Sequence, residues 1–288
     1  MKVRLAWELL LPYAFLLFKV ETYQMSDHPK ILAIDDEEVI VDSIVRLLSA
    51  EGLHVDGSLN AGDALKQIER NKYRLIITDL MMPEMDGFQL LTELHKLNIH
   101  VPVIVTTGYS TVENAVKSLY KGAIDFLPKP FTVDELLSCV QRGLNYGSIL
   151  GIHTSKAPIR ENEYVNCPAN YYRLGYNSWA VVQNDGAIRI GVTDLFLKTI
   201  KTISKIELQP VDHELIQGNA CAQIETLANL THNILSPVTG RIINTNTTII
   251  EKNNLVEKDP YFEGWFYTII PSDLDYELSH LISCSSDR

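Results

Sequence analysis

The chain of 288 residues is short of cysteine, of basic side chains and of long apolar runs. Its four cysteines, Cys139, Cys167, Cys221 and Cys284, lie far apart and form no Cys-x-x-Cys pair. That spacing argues against a disulfide framework or a cysteine zinc site and suits reduced thiols in a cytoplasmic protein. Lysine and arginine number 25 against 36 aspartates and glutamates, for a net charge of −11. Both halves are acidic, −7 over residues 26–148 and −5 over 149–288. Gripping phosphate backbones requires a basic footprint, and no helix-turn-helix pattern occurs, so no nucleic-acid partner is expected. The apolar stretch at residues 6–18 is interrupted by Glu8 and Pro12. It is shorter than the roughly 18–20 residues that cross a bilayer, and no small-residue cleavage site follows it. Residues 1–25 read as a leader or start-site extension outside any fold, with weak membrane-surface contact as the second reading and export as the last. No stable membrane insertion is expected.

What the chain does have is enough apolar material, 46% of residues, for two cores. Its length suits two domains. Residues 75–78 form an apolar, β-branched run that ends at Asp79, and Pro83 and Gly87 punctuate the loop beyond it. Such a run reads as a buried strand. In open parallel sheets, chemistry collects at the carboxyl ends of strands. Asp79 is therefore either a reactive or metal-binding carboxylate or the cap of the next helix. Residues 30–34, 54–58, 102–107 and 124–127 read as further strands. They alternate with helices over 39–50, 60–68, 87–97 and 111–120, and with one opening at Thr132. Asn60 is a plausible N-cap, and Thr132-Val133-Asp134-Glu135 has the form of a capping box. Five strands alternating with five helices imply an α/β fold with a parallel sheet covered on both faces.

The strand ends share a chemistry. Asp35 and Asp36 follow the first strand, Asp79 the third and Lys129-Pro130 the fifth, and Thr107 closes the fourth. Three carboxylates at one pole repel each other unless a hard cation neutralises them, and Mg²⁺ suits carboxylates, a carbonyl and waters. A lysine and a hydroxyl at the same pole would hold a bound anion. The combination points to phosphoryl transfer onto a carboxylate.

Ile34-Asp35-Asp36-Glu37, the run from Asp79 to Gly87, Val105-Thr106-Thr107-Gly108-Tyr109 and the run from Asp125 to Phe131 resemble the receiver domain of two-component response regulators. The resemblance covers about 120 residues, 26–147 as bounded here. It implies a flavodoxin-like sheet of order 2-1-3-4-5. It also implies Asp79 as phosphoacceptor, and Mg²⁺ held by Asp35, Asp36, Asp79 and the Met81 backbone carbonyl. Lys129 would pair with phosphoryl oxygens, and Thr107 and Phe126 would form a switch pair. Phe126 as plain core is the rival reading. A sensor histidine kinase or phosphotransfer protein is the implied partner.

Residues 148–163 read as a linker, and residues 164–288 as β-rich. Asn184-Asp185-Gly186 between two apolar runs is a hairpin signal, and short strands with regular turns imply a sandwich or barrel. Gly191-Val192-Thr193-Asp194, Ser236-Pro237-Val238-Thr239-Gly240 and the run from Asp259 to Trp265 resemble the glycine-cleavage H-protein, a lipoyl carrier. That resemblance implies a barrel-sandwich hybrid with a lysine on the hairpin before Ser-Pro-Val. Here Ala228 or Asn229 takes that place, depending on the end from which the stretch is aligned, and no lysine lies between Lys205 and Lys252. No lipoate is expected. His232 on the same stretch reads as a packing or surface residue more readily than as a ligand or base. The expected function is a phosphorylation-dependent response regulator, not an enzyme with an external substrate, acting through an unknown downstream protein. The alternative is a regulated lipoyl-carrier component.

Overall fold

The computed structural model describes residues 30–108, 111–152 and 164–286. The expectations for residues 1–25, for Tyr109 and for most of the linker lie outside them. The first half runs β1 (Lys30–Ile34), α1 (Glu38–Ala50), β2 (His54–Ser58), α2 (Ala61–Arg70), β3 (Leu75–Asp79), α3 (Gly87–Lys96), β4 (Val103–Thr107), α4 (Val112–Tyr120), β5 (Asp125–Pro128) and α5 (Val133–Ile149). The strands form one parallel sheet in the order β2-β1-β3-β4-β5.

Side chains alternate across a strand, so each central strand supplies two cores. Ile31, Ala33, Leu75, Ile77 and Ile104 join Ile44 of α1 and Leu136 and Val140 of α5 on one face. Leu32, Ile34, Ile76 and Val105 join Ala64 of α2 and Leu90 and Leu94 of α3 on the other. This double burial is why β3 and β4 read as unbroken apolar runs. The helix starts are chemically fixed. Asn60 Oδ1 accepts the Asp63 amide at 2.8 Å. Thr132 and Glu135 close the expected capping box, and Asp86 with Gln89 forms a second one at the start of α3.

The second half runs β6 (Tyr172–Leu174), β7 (Ser178–Val182), β8 (Ile188–Val192), α6 (Asp194–Ile200), β9 (Ile203–Leu208), β10 (Glu214–Leu215), β11 (Ala220–Thr226), β12 (Thr231–Leu235), β13 (Gly240–Thr245), α7 (Thr248–Glu251), α8 (Asn254–Lys258), β14 (Tyr267–Pro271), α9 (Leu274–Leu278) and β15 (Ile282–Ser283). Its sheets are antiparallel, one of seven strands ordered β10-β13-β14-β8-β7-β6-β15 and one of three ordered β12-β11-β9. The Asn-Asp-Gly hairpin joins β7 to β8, with Gly186 at φ +84°. Trp179 is fully buried and donates Nε1–H to the Val192 carbonyl at 2.9 Å. Its cross-strand partner is Gly191, where a Cβ would lie 2.6 Å from the indole ring.

The apolar cluster on the α1/α5 face does not stop at the first half. It continues through Val116 and Leu119 of α4 and Val140 of α5 into Leu174, Tyr176, Phe196, Leu197 and Ile200. Helix α5 packs against α6 and β12, and α4 against β6. Leu119 lies so close to Gly175 that a Cβ there would meet it at 3.3 Å.

Candidate functional site

The carboxyl ends of β1, β3, β4 and β5 bring four of the expected residues to one pole. Asp35 follows β1, Asp79 ends β3, Thr107 ends β4 and Lys129 follows β5. Asp35, Asp79 and Thr107 are buried. The Lys129 Nζ lies 2.5 Å from Asp35 Oδ2 and 2.6 Å from Asp79 Oδ1, so one ammonium serves two buried carboxylates. The other Asp79 oxygen accepts the Met81 amide at 2.5 Å. Asp35 Oδ1 accepts the Glu37 amide at 3.1 Å. The Leu80 amide donates to the Thr106 carbonyl at 2.9 Å and the Lys129 amide to the Thr107 carbonyl at 2.8 Å. The backbone after β3 and after β5 is thereby tied to the end of β4.

Local sequence explains this convergence. Gly87 starts α3 where an added Cβ would sit 2.6 Å from the Asp79 carbonyl oxygen. Only glycine lets the helix begin so close to the end of β3. The Asp86 cap and the Gly87 amide, which donates to the Leu80 carbonyl at 2.9 Å, hold the loop back against the strand. Asp86 and Gly87 thus shape the loop, as turn and helix-start residues should.

Burial raises the pKa of Asp79 above the ordinary 3.8, outweighing the lowering from Lys129 and the Met81 amide, and neighbouring Asp35 adds to the rise. Burial acts to lower the Lys129 pKa, but its hydrogen bonds to Asp35 and Asp79 outweigh that and hold it above the ordinary 10.5. The two shifts have opposite balances, with burial prevailing at Asp79 and the carboxylate partners prevailing at Lys129. Loss of water disfavours the charged form of either group, and only the lysine, with two anions beside it, has partners enough to reverse that.

Asp36 is exposed, and Met81 is 54% exposed. Among the described residues no three carboxylate, imidazole or thiolate side chains are arranged to hold a metal ion. The donor types nonetheless fit Mg²⁺, which takes one or two carboxylates and keeps several waters. Asp35 and Asp79 are already side by side, drawn together by Lys129. Phe126 is half-buried on β5, against the α2/α3 core, and lines a cleft toward the second half.

In the second half, β11 and β12 form the hairpin expected before Ser236-Pro237-Val238. The Thr226 amide donates to Leu230 and the Asn229 amide to the Thr226 carbonyl, which places Leu227, Ala228 and Asn229 at the tip. Asn229 takes φ +59° and Leu227 is 70% exposed. Both alignments of the lysine position thus fall on this tip. His232 is 1% exposed, which settles it as a packing residue rather than a surface one. Its Nδ1 lies 2.6 Å from Arg142 Nη1, and Arg142 is buried against Asp125. Sequence reasoning passed over Arg142. The available signal was that α5 carries small or apolar residues on more than one face, including Ser138, Cys139, Gly143 and Gly147.

Comparison with known proteins agrees with both halves. The response regulator receiver domain family matches residues 31–141. The glycine cleavage H-protein family matches residues 170–286. Response regulator MprA of Mycobacterium leprae is 34% identical over 112 residues, 39% of this chain and 49% of that protein. A receiver domain structure from Clostridium thermocellum is 32% identical with a TM-score of 0.41, covering 42% of this chain and 98% of that one. A glycine cleavage system H protein from Mycobacterium marinum is 22% identical with a TM-score of 0.35, covering 37% of this chain and 87% of that one. The chain spans about half or less of the curated relatives it matches. No described helix is long and apolar enough to cross a membrane. Residues 31–141 thus belong to the response regulator receiver domain family, and residues 170–286 to the glycine cleavage H-protein family.

Proposed function

We propose that this protein is a phosphorylation-dependent response regulator in which Asp79 accepts the phosphoryl group and the H-protein domain acts as a protein-binding output. The observation that carries the reading is the single Lys129 ammonium shared by Asp35 and Asp79 at the carboxyl pole of the sheet. An Asp79 carboxylate oxygen attacks the phosphorus of a phosphohistidine on a sensor histidine kinase or phosphotransfer protein. The P–O bond forms as the P–N bond breaks, and the departing imidazole keeps the electron pair and takes up a proton. Lys129 moves its ammonium from the Asp79 carboxylate to the phosphoryl oxygens. Asp35, Asp36, Asp79 and the Met81 carbonyl would hold Mg²⁺. Bound there, the ion neutralises charge on the phosphoryl oxygens. The new group carries a charge on the order of −2 and seeks donors. Thr107 supplies its hydroxyl, and Phe126 turns inward as β4 shifts.

The working units are residues 26–147 and residues 164–288. The hairpin tip of Leu227, Ala228 and Asn229 carries no amine, so an amide-linked lipoyl arm cannot form there. Output then runs through contact with a downstream protein, in the cytoplasm, without nucleic acid and without turnover of an external substrate. Intact-mass analysis after incubation with acetyl phosphate and Mg²⁺ tests the reading. Wild type should gain one phosphoryl group and Asp79→Asn none. Equal labelling of the two would refute Asp79 as acceptor.

A further inference from the structure

The amino end of the receiver sheet, opposite the Asp79 pole, carries a hollow of about 560 Å³. It lies where β4 and β5 begin, at the ends of α3, α4 and α5. Buried Leu94, Val103 and Ile124 form its base, and half-buried Tyr146, Leu150 and Ile152 form one wall. The matched receiver residues end at 141, so this wall lies beyond them. The second domain holds it in place. Asn145 Nδ2 donates to the Thr199 carbonyl at 2.7 Å, and Tyr146 packs on Tyr176 at 4.9 Å. The Ile152 amide donates to the Gly147 carbonyl at 3.0 Å, folding the chain back over the end of α5.

Sites for small molecules are mostly apolar hollows of roughly 300–1,000 Å³ with a few convergent polar groups. Here the polar groups are His95, His100 and Lys121, all exposed, and no acidic side chain lines the hollow. In a chain of net charge −11 that runs against the trend. Among the described residues none of the three has a side-chain hydrogen bond or ion pair, whereas Lys96 beside them is taken by Glu93 at 2.7 Å. The helix dipole favours basic groups at helix ends, and His95 and Lys121 stand at the ends of α3 and α4. His100 stands at neither, in the loop before β4, and the dipole gives no reason for an apolar hollow between the three.

We propose that this hollow binds a fatty acid. The acyl chain lies on Leu94, Val103 and the α5 wall. The carboxylate stays at the mouth, where the Lys121 ammonium and the imidazole N–H groups of His95 and His100 meet it. The lining decides the class of ligand. Sugars and nucleotides would lose water against an apolar base that returns no hydrogen bonds. An amine would meet an ammonium and no anion. Because the wall is also bound to Thr199 and Tyr176, a seated acyl chain would brace α5 against the H-protein domain.

Isothermal titration of the full chain with decanoate tests this. Wild type should bind one equivalent, and each methylene added from octanoate to dodecanoate should tighten binding about fourfold. Lys121→Gln, at an exposed position, should weaken decanoate binding about tenfold and leave 1-decanol binding unchanged. Ile152→Glu places an anion in the wall and should abolish uptake of the acid. No saturable binding, or an affinity independent of chain length, overturns the site. Equal decanoate affinity in wild type and Lys121→Gln overturns the role of the ammonium. Binding that persists in Ile152→Glu puts the acid elsewhere on the protein and overturns the assigned hollow. Each of these results is independent of phosphoryl labelling at Asp79.

Discussion

His232 gives the protein a specific acid sensitivity. Burial, and then the adjacent Arg142 cation, push its pKa from the ordinary 6.5 down to about 3. In the unfolded chain the imidazole takes up a proton once the pH falls below about 6.5. The folded protein refuses that proton until about pH 3. Between the two values the unfolded state binds more protons, so stability is full above 6.5 and falls as the pH is lowered toward 3. The slope approaches ~1.4 kcal/mol per pH unit. At about pH 5.5 the loss from this residue alone is about 1.3 kcal/mol relative to neutral pH. In a protein of this size that lowers Tm by about 3–5 °C. The measurement is a pair of thermal unfolding curves, at neutral pH and about pH 5.5, for wild type and His232→Gln. Glutamine keeps an acceptor for Arg142 and does not titrate. Every other acid and base is common to both proteins, including Asp125, Cys139 and Tyr176 around the guanidinium. The difference between the two losses therefore isolates His232. If both proteins lose the same stability, the imidazole is not held neutral by the fold, and the account of the Arg142 contact fails.

Other outcomes follow from the carboxylate pole. Lys129→Met removes the ammonium shared by Asp35 and Asp79, which should cost about 3–5 kcal/mol near neutral pH in denaturant titrations and abolish acetyl phosphate labelling. Part of that stability should return as the pH is lowered and Asp79 takes up a proton. The raised pKa of Asp79 means that its carboxylate form is lost at a pH above the ordinary 3.8. Labelling rates should therefore drop with acidification earlier than for an exposed aspartate, as stopped-time mass spectrometry would register. Gly87→Ala forces a Cβ against the Asp79 carbonyl. It should destabilise by about 1–3 kcal/mol and slow labelling, whereas Gly62→Ala, where an added Cβ would make only an ordinary contact with Asn60 Oδ1 at 3.5 Å, should leave labelling at the wild-type rate.

The first half was legible because its signals are local. β-branched runs such as Leu75–Asp79 are buried on both faces, Asn60 and Thr132 cap their helices within three residues, and the chemistry falls at strand ends whatever the packing. In the second half the hairpin at Asn184-Asp185-Gly186 and the core strands carry the same kind of signal. Short elements such as β6, β10 and β15 do not, since two or three residues have no period to read. The Arg142–His232 contact was invisible for a different reason. Its partners lie 90 positions apart, and nothing in either segment announces the other. An arginine in an amphipathic helix normally faces water; here a second domain covers that face and the water is gone.

The apolar cluster that runs unbroken from the receiver's sheet into the H-protein domain limits how freely this architecture can be rearranged. Here Leu119 and Val140 are interior residues of a joint structure, and Tyr146 packs half-buried against Tyr176. A receiver taken from a relative would bring a helix face matched to other surroundings against Tyr176 and Phe196. A receiver cut free at the linker would turn those side chains outward and make its own surface sticky. A functional chimera would have to carry α4, α5 and their counterparts on β6, α6 and β12 together, as a single graft.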